Sequence, residues 1–274
     1  LLTIHIRKEL LLVALFFCLS LRKGLLMINS VRNTVLSVLN KNNYGYISPA
    51  DFNLFAKQAQ LTIFENYFSD YNNALNKENA RTSGTEYADA SKGISESIDI
   101  FSVTNDLSVV TAGTNVYNLP SIATTSDDFY LLNKVLCFTD ATPAVFTGEA
   151  EAVTHSKITM LNNSMLLAPT TVFPAYTIEG NLLTVFPATI NAANQVQAQY
   201  IRYPFDPNWT YTSITGGEPV FDDSQADFQD FEIPIDDEPQ LVNLILQMCG
   251  ISIREMDVYT YAQAEETKNL QQQA

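Results

Sequence analysis

The stretch 174-PAYTIEGNLLTVFPATINAANQVQAQYIRYP-204 decides the fold. Tyr176 and Ile178 alternate with polar neighbours, which is the two-residue period of a strand with one buried face. The Gly-Asn pair at 180–181 predicts a tight turn, because both residues tolerate positive φ. Alternation resumes beyond the turn and again over residues 195–203. These short strands with turn signals predict an antiparallel, sandwich-like β domain.

The residues before this stretch add further strands and one short helix. NVYNLP (115–120) and DFYLLNKVLCFTD (128–140) are rich in Val, Tyr, Leu and Phe and are bounded by Pro, Asp and Asn, so they predict strands. GEAEAVTHSKITMLNNSML (148–166) instead has apolar residues at helical spacing, and we expect a helix there.

Helical patterns mark both ends of the chain. Apolar residues recur every three or four positions over 28–40. Ser48, followed by proline, predicts the start of a second helix that we expect to run to about Asn79. Residues 236–274 predict two more helices, separated at Gly250.

The sequence therefore predicts an α+β protein with N-terminal helices, a central β domain and C-terminal helices. We expect a helical region at 27–106, a β-rich domain at 107–235 and a helical segment at 236–274. Residues 1–26 leave three interpretations open. They are translated upstream sequence before a natural start at Met27, a signal or anchor with its charged residues on both sides of a short apolar run, or a structural segment.

The amino-acid composition limits the classes of partner that the chain can bind. The chain has 15 basic and 30 acidic residues in 274, a net charge of −15. Such a balance argues against direct nucleic-acid binding, which uses Lys and Arg to replace phosphate counterions. The three cysteines are far apart, so we expect buried free thiols and neither a zinc site nor a disulfide framework.

No motif in the sequence predicts catalysis. Phosphate-binding, dinucleotide-binding, nucleophile-elbow and zinc-protease motifs are absent, and His155 has no evident partner, so we expect it on the surface. The acidic run 218–238 is the one site-like feature, and it predicts a solvated loop or a divalent-ion site. We expect Trp209 to anchor its own loop. Because no motif predicts catalysis, we expect no enzyme activity, no cofactor and no resident metal.

Aromatic residues concentrate in the second predicted helix and in the polar loop before it. A wide aromatic stripe indicates either core packing or a contact with another subunit, because Tyr and Phe are enriched at interface cores. Both interpretations hold for a long helix buried on opposite faces. Two tyrosines lie in the loop itself, where core packing is a weaker explanation.

Three segments together resemble virion structural proteins of tailed bacteriophages. They are NNYGYISPADFNLFAKQAQLTIFENYF (42–68), the β stretch 174–204, and IPIDDEPQLVNLILQMCGISIREMDVYTYAQAEETKNLQQQ (233–273). The chain is most similar in pattern and order to ring, or adaptor, proteins of the head-to-tail connector in crAss-like, short-tailed phages. The resemblance covers most of residues 27–274.

The resemblance implies a homo-oligomeric ring, commonly a dodecamer, between the portal and adjacent tail or ring proteins. It implies a virion protein, assembled in the host bacterium's cytoplasm, whose channel passes DNA without reading its sequence, and no membrane contact. The alternatives are another tail or head-associated protein, or a secreted carbohydrate-binding module if the leader is a real signal. The candidate interface residues are Tyr44, Tyr46, Phe52, Phe55, Phe64, Tyr67, Arg254, Tyr259 and Tyr261.

Overall fold

A computed structural model describes residues 26–39, 47–80, 90–140, 144–213, 219–253, 260, 262–265 and 267–268. Within these ranges, five α-helices, one short 3-10 helix (Ile235–Asp237) and nine strands have assigned bounds. The helices are α1 (Met27–Leu39), α2 (Pro49–Ala80), α3 (Ala90–Asp99), α4 (His155–Asn162) and α5 (Glu238–Ile253). The strands are β1 (Ser102–Asp106), β2 (Val116–Asn118), β3 (Phe129–Phe138), β4 (Phe146–Ala152), β5 (Ala175–Glu179), β6 (Leu182–Phe186), β7 (Val196–Arg202), β8 (Tyr211–Ser213) and β9 (Pro219–Phe221).

The chain folds into two compact units. Of the described residues, the helical unit combines those within 26–80 and 204–268, and the sheet unit holds those within 90–203. The expected boundaries, at 106/107 and 235/236, differ from these. α3 and β1 belong to the sheet unit, because β1 pairs along its length with β7. The described residues of 204–235 belong to the helical unit.

Seven strands of the sheet unit form one curled sheet in the order β1-β7-β3-β4-β5-β6-β2. Neighbouring strands are antiparallel except β4 and β5, which are parallel where Glu151 and Ala152 face Ala175 and Tyr176. A parallel pair needs a crossover connection, and here α4 and the residues after it supply that crossover. The mixed α+β architecture predicted from the sequence is confirmed.

The curled sheet encloses one core. Buried side chains from β2 to β7 pack in a single cluster, with Tyr117, Val135, Leu183, Val185 and Val196 fully buried. The residues that follow β1 connect the two ends of the sheet, since their backbone atoms form hydrogen bonds with both β7 and β2. The Leu107 amide donates to the Val196 carbonyl at 2.9 Å, and the Asn118 amide donates to the Ser108 carbonyl at 2.8 Å.

In the helical unit, α5 packs against both α1 and α2. Its predicted apolar stripe is buried at Leu241 and Ile245, and α1 buries Ile28, Val31 and Val35. The predicted cap of α2 is also confirmed. The Asp51 amide donates to the Ser48 hydroxyl oxygen at 3.1 Å, and that hydroxyl donates back to the Asp51 carboxylate at 2.7 Å.

Two predictions about helices are wrong. Gly250 lies inside α5, which continues to Ile253. A glycine inside a helix costs about 1 kcal/mol, and burial of the surrounding apolar residues outweighs that cost. Residues 148–152 form part of β4, and helix α4 begins only at His155. Gly148 and Ala150 are buried while Glu149 and Glu151 are exposed, which is the two-residue period of a strand and not a helical one.

Candidate interaction surfaces

Carboxylates of the acidic run 218–238 form hydrogen bonds with other parts of the helical unit. Asp230 caps α1, since its two carboxylate oxygens accept hydrogen bonds from the backbone amides of Met27 at 3.1 Å and Ile28 at 2.8 Å. A carboxylate at this position satisfies amides that have no partner inside the helix and also complements the positive end of the helix dipole. The cap joins residues about two hundred positions apart.

Other carboxylates of the run make similar contacts. Glu232 accepts from the Phe205 amide at 2.8 Å, and Asp227 accepts from the Asn208 side chain at 3.2 Å. Glu238, the first residue of α5, accepts from the Ser30 hydroxyl of α1 at 2.6 Å. Among the described residues, no group of three or more His, Cys, Asp or Glu side chains could hold a metal ion. Several carboxylates of the run are therefore bonded within the helical unit, whereas Asp227 and Asp236 remain exposed to solvent, as expected for a solvated loop.

A tyrosine and two carboxylates meet where α2 passes the start of α5. The Tyr67 hydroxyl donates to the Asp237 carboxylate. Burial and that negative charge raise the pKa of Tyr67 far above its ordinary value. The pKa of Asp70, one helical turn from Tyr67, is also raised, first by burial and then by the charge of Asp237, while Lys77 lowers it.

Trp209 anchors its loop, as predicted. Only 2% of the residue is exposed, and its ring stacks on Tyr211 with centroids 5.7 Å apart. Its indole nitrogen donates to the Asn29 side chain at 3.3 Å, and its backbone amide donates to the Asn53 side chain at 2.9 Å. The ring face is therefore occupied within the protein and offers a sugar no stacking platform.

The candidate interface residues divide into three groups. Phe52 and Phe64 are 1% and 0% exposed, and Tyr67 is also buried, so these side chains belong to the core of the helical unit. Phe55 is half-buried and keeps some surface for a partner. The other five lie outside the described residues: Tyr44, Tyr46, Arg254, Tyr259 and Tyr261.

Sequence reasoning missed the most exposed apolar surface, which lies on the sheet unit. Residues 160–173, here called the apolar segment, include the end of α4 and the connection toward β5. Their exposed fractions are unusually large for apolar residues. They are Met160 75%, Met165 102%, Leu166 95%, Leu167 67%, Val172 54% and Phe173 78%. A sequence signal did exist, because residues 158–178 contain no charged side chain in a strongly acidic chain.

A groove opens elsewhere on the sheet unit. Its volume is about 700 Å³, and Leu107, Val109 and Ala112, which follow β1, contribute to its lining. Residues 191–194, between β6 and β7, also line it. Asp106 is the one charged residue in the described lining. We call this depression the neutral groove.

Neither the two described cysteine thiols nor the His155 side chain lies in surroundings that would make it reactive. Burial raises the pKa of the Cys137 thiol to about 11 and that of the Cys249 thiol to about 12, so neither is a thiolate at neutral pH. Both are free and buried, as predicted. His155 is exposed, as predicted, and its Nε2 lies 3.1 Å from the Ile178 carbonyl oxygen.

No protein-family model matches the chain, and the search of curated proteins found no match either. Within the part of the chain that the structure describes, no helix combines the length and the apolar character needed to cross a membrane.

Proposed function

We propose that this chain is a non-enzymatic structural protein of a tailed-phage virion, one subunit of a ring between the portal and the tail. The observation that carries the proposal is the exposed apolar segment. Met165, Leu166 and Phe173 present large apolar side chains to solvent. Surfaces of this kind are typical of contacts with other proteins.

Charge supports the channel part of the proposal. A chain with a net charge of −15 repels the DNA backbone. A ring of such subunits would let a genome slide through its channel, because few cations are present to replace phosphate counterions. The protein's partners are then other copies of itself, the portal and the neighbouring tail or ring proteins, assembled in a bacterial host's cytoplasm.

The resemblance in element order selects the connector ring over other virion positions. Another tail or head-associated structural protein is the nearest alternative and would share the same surface chemistry. A secreted carbohydrate-binding module is disfavoured, because the chain's single tryptophan, Trp209, is buried. Aromatic platforms for sugars need an exposed ring face.

The test is the native state of the full chain, alone and with virion components. Size-exclusion chromatography with light scattering measures the mass of the purified protein. Cosedimentation then asks whether the chain binds portal-containing particles from which the tail is absent. We expect a discrete assembly of about twelve copies, or ring-shaped density beneath the portal in electron micrographs.

Bovine serum albumin, which is also acidic, serves as the control for charge-driven cosedimentation. A chain that binds head particles elsewhere than at the portal vertex would replace the connector by a head-associated role. A chain that binds neither portal nor tail particles would overturn the virion proposal.

A further inference from the structure

The apolar segment has a fixed conformation on the sheet unit. The Ala168 amide donates to the Ser164 carbonyl at 3.2 Å, and the Thr170 amide donates to the Phe173 carbonyl at 3.1 Å. At its far end the Val172 carbonyl lies against β4, so close that a Cβ on Gly148 would come within 2.4 Å of it. The exposed side chains are therefore held outward by backbone contacts and are not available to fold onto their own core.

The exposed area is large enough for a stable contact. Six side chains that are 54–102% exposed present, together, an apolar surface on the order of 800 Å². A standard protein interface buries about this area on each partner. Single exposed leucines are ordinary, but six large apolar residues within fourteen positions are not.

Electrostatics favours a neutral counterpart. Two copies of a chain with a net charge of −15 repel each other wherever their acidic surfaces meet. The sheet unit holds three long runs without any charged residue, at 107–126, 158–178 and 180–201. The second run contains the apolar segment, and the other two contain all but one of the residues that line the neutral groove. The chain thus carries both an uncharged apolar segment and a groove whose described lining holds a single charged residue, Asp106.

Within one copy, the apolar segment does not occupy the neutral groove. Leu166 is 95% exposed and Met165 fully exposed, so neither side chain lies in a groove of its own chain. A groove of about 700 Å³ has the volume of sites that enclose a group of several side chains. Its described lining is apolar or uncharged except for Asp106.

We propose that the apolar segment of one copy docks into the neutral groove of a second copy. The contact is heterologous, because two different surfaces meet. A heterologous contact repeats from copy to copy and produces a closed ring or an open filament according to the rotation. Closure of this contact into a ring rests on the proposed function. The contact between two copies rests only on the two surfaces of the sheet unit.

Two charge substitutions test the two halves of the contact. Leu166→Glu changes an exposed residue of the segment, and Ala112→Glu changes an exposed residue of the groove. Gln58→Glu, on an exposed position of α2 in the helical unit, adds the same charge at a residue that belongs to neither surface. Sedimentation equilibrium of each full-length chain gives the dissociation constant for self-association. We expect each of the first two variants to raise it at least about tenfold and the third to change it less than twofold.

Mixing the two impaired variants provides the decisive measurement. The Leu166→Glu chain keeps an intact groove, and the Ala112→Glu chain keeps an intact segment. A heterologous contact therefore predicts a one-to-one dimer in the mixture that neither variant forms alone. A mixture that stays monomeric, a wild-type chain that does not self-associate, or a Leu166→Glu chain that assembles like wild type would each overturn the inference.

These outcomes are separate from the test of the proposed function. Complementation by the mixture, without any binding to portal-containing particles, leaves this inference standing and removes the virion role. Portal-bound rings that form equally well from the Leu166→Glu chain remove this inference and leave the virion role standing.

Discussion

The guanidinium carbon of Arg32 lies 3.7 Å from the ring centroid of Trp209. Arg32 comes from α1 and Trp209 from the residues before β8, and both are buried. A cation held against an indole face away from water contributes about 2 kcal/mol. This stacked pair therefore joins the first helix to the part of the chain that returns from the sheet unit.

Replacing Arg32 tests that contribution. Arg32→Met keeps an apolar stem of similar length but removes the guanidinium, so we expect the free energy of unfolding to fall by about 1–2 kcal/mol. Trp209 is the only tryptophan, and its fluorescence in a urea titration follows the helical unit selectively. Lys92→Met, at an exposed position of α3, is the control and should leave the midpoint nearly unchanged. Equal midpoints for Arg32→Met and wild type would show that the stacking contributes nothing.

Removal of the Asp230 carboxylate should destabilise α1. In Asp230→Ala the amides of Met27 and Ile28 lose their acceptor, and a lost cap costs about 1–2 kcal/mol. We expect a lower urea midpoint by Trp209 fluorescence, together with faster amide exchange in the first turn of α1. Amide exchange measured by mass spectrometry locates the change.

A nearby acid separates the cap from a general effect of charge. Asp236→Ala removes an exposed carboxylate from the same acidic run. It changes the net charge equally, and we expect its effect on the free energy of unfolding to stay within about 0.5 kcal/mol. If both variants lost the same stability, reduced acidity rather than capping would be the cause.

The sequence predicted those features that depend on neighbouring residues. The turn at Gly180, where φ is +59°, and the cap at Ser48 each follow from a few adjacent side chains. Asp230 and Ile28 meet across 202 positions, and no local pattern predicts such a pair. The aromatic stripe of α2 shows the same limit. Spacing predicted a buried face that includes Phe52 and Phe64, but the helix that packs against α2, α5, comes from a distant part of the sequence.

The apolar segment was missed for a different reason. Its Met165 was read as part of a helical apolar face, and an apolar face is normally assigned to a core. The helix ends at Asn162, so the residues that follow leave that face and become exposed. The missing charges over 158–178 were the better signal, because a surface segment of an acidic protein usually carries carboxylates.

Asp70 should make the stability of the helical unit depend on pH. Its pKa is raised above the usual value of 3.8, first by burial and then by the charge of Asp237. A carboxyl group with a raised folded-state pKa contributes stability that is fully present below the unfolded pKa and is lost as pH rises through the folded pKa. At neutral pH the ionised Asp70 is therefore destabilising relative to a neutral side chain.

Asp70→Asn should accordingly stabilise the protein at pH 7. Because Asp70 is partly exposed and screened by solvent, we expect a gain of only a few tenths of a kcal/mol. The gain should shrink as pH falls toward 3.8, where the wild-type carboxyl becomes protonated in both states. Urea midpoints of the two proteins at a series of pH values measure this, with Glu65→Gln on the exposed face of α2 as the control. A gain that grows on acidification would contradict the assigned cause.

Two glycines of the sheet unit should respond oppositely to the same substitution. In Gly148→Ala the new methyl group would lie 2.4 Å from the Val172 carbonyl oxygen, so β4 or the apolar segment must move. Overpacking of this kind costs about 1–3 kcal/mol. Gly93, inside α3, has no atom within 4 Å of the added methyl group, so Gly93→Ala should stabilise the unit by about 0.5–1 kcal/mol.

Near-UV circular dichroism during thermal unfolding follows the tyrosines of both units, and Trp209 fluorescence, which reports the helical unit, identifies the part of the transition that belongs to that unit. We expect a lower midpoint for Gly148→Ala and a higher one for Gly93→Ala. The clash is with the backbone of Val172, so Gly148→Ser should be at least as destabilising as Gly148→Ala. A neutral Gly148→Ala variant would mean that the apolar segment yields freely, and its outward side chains would then not be held in place by β4.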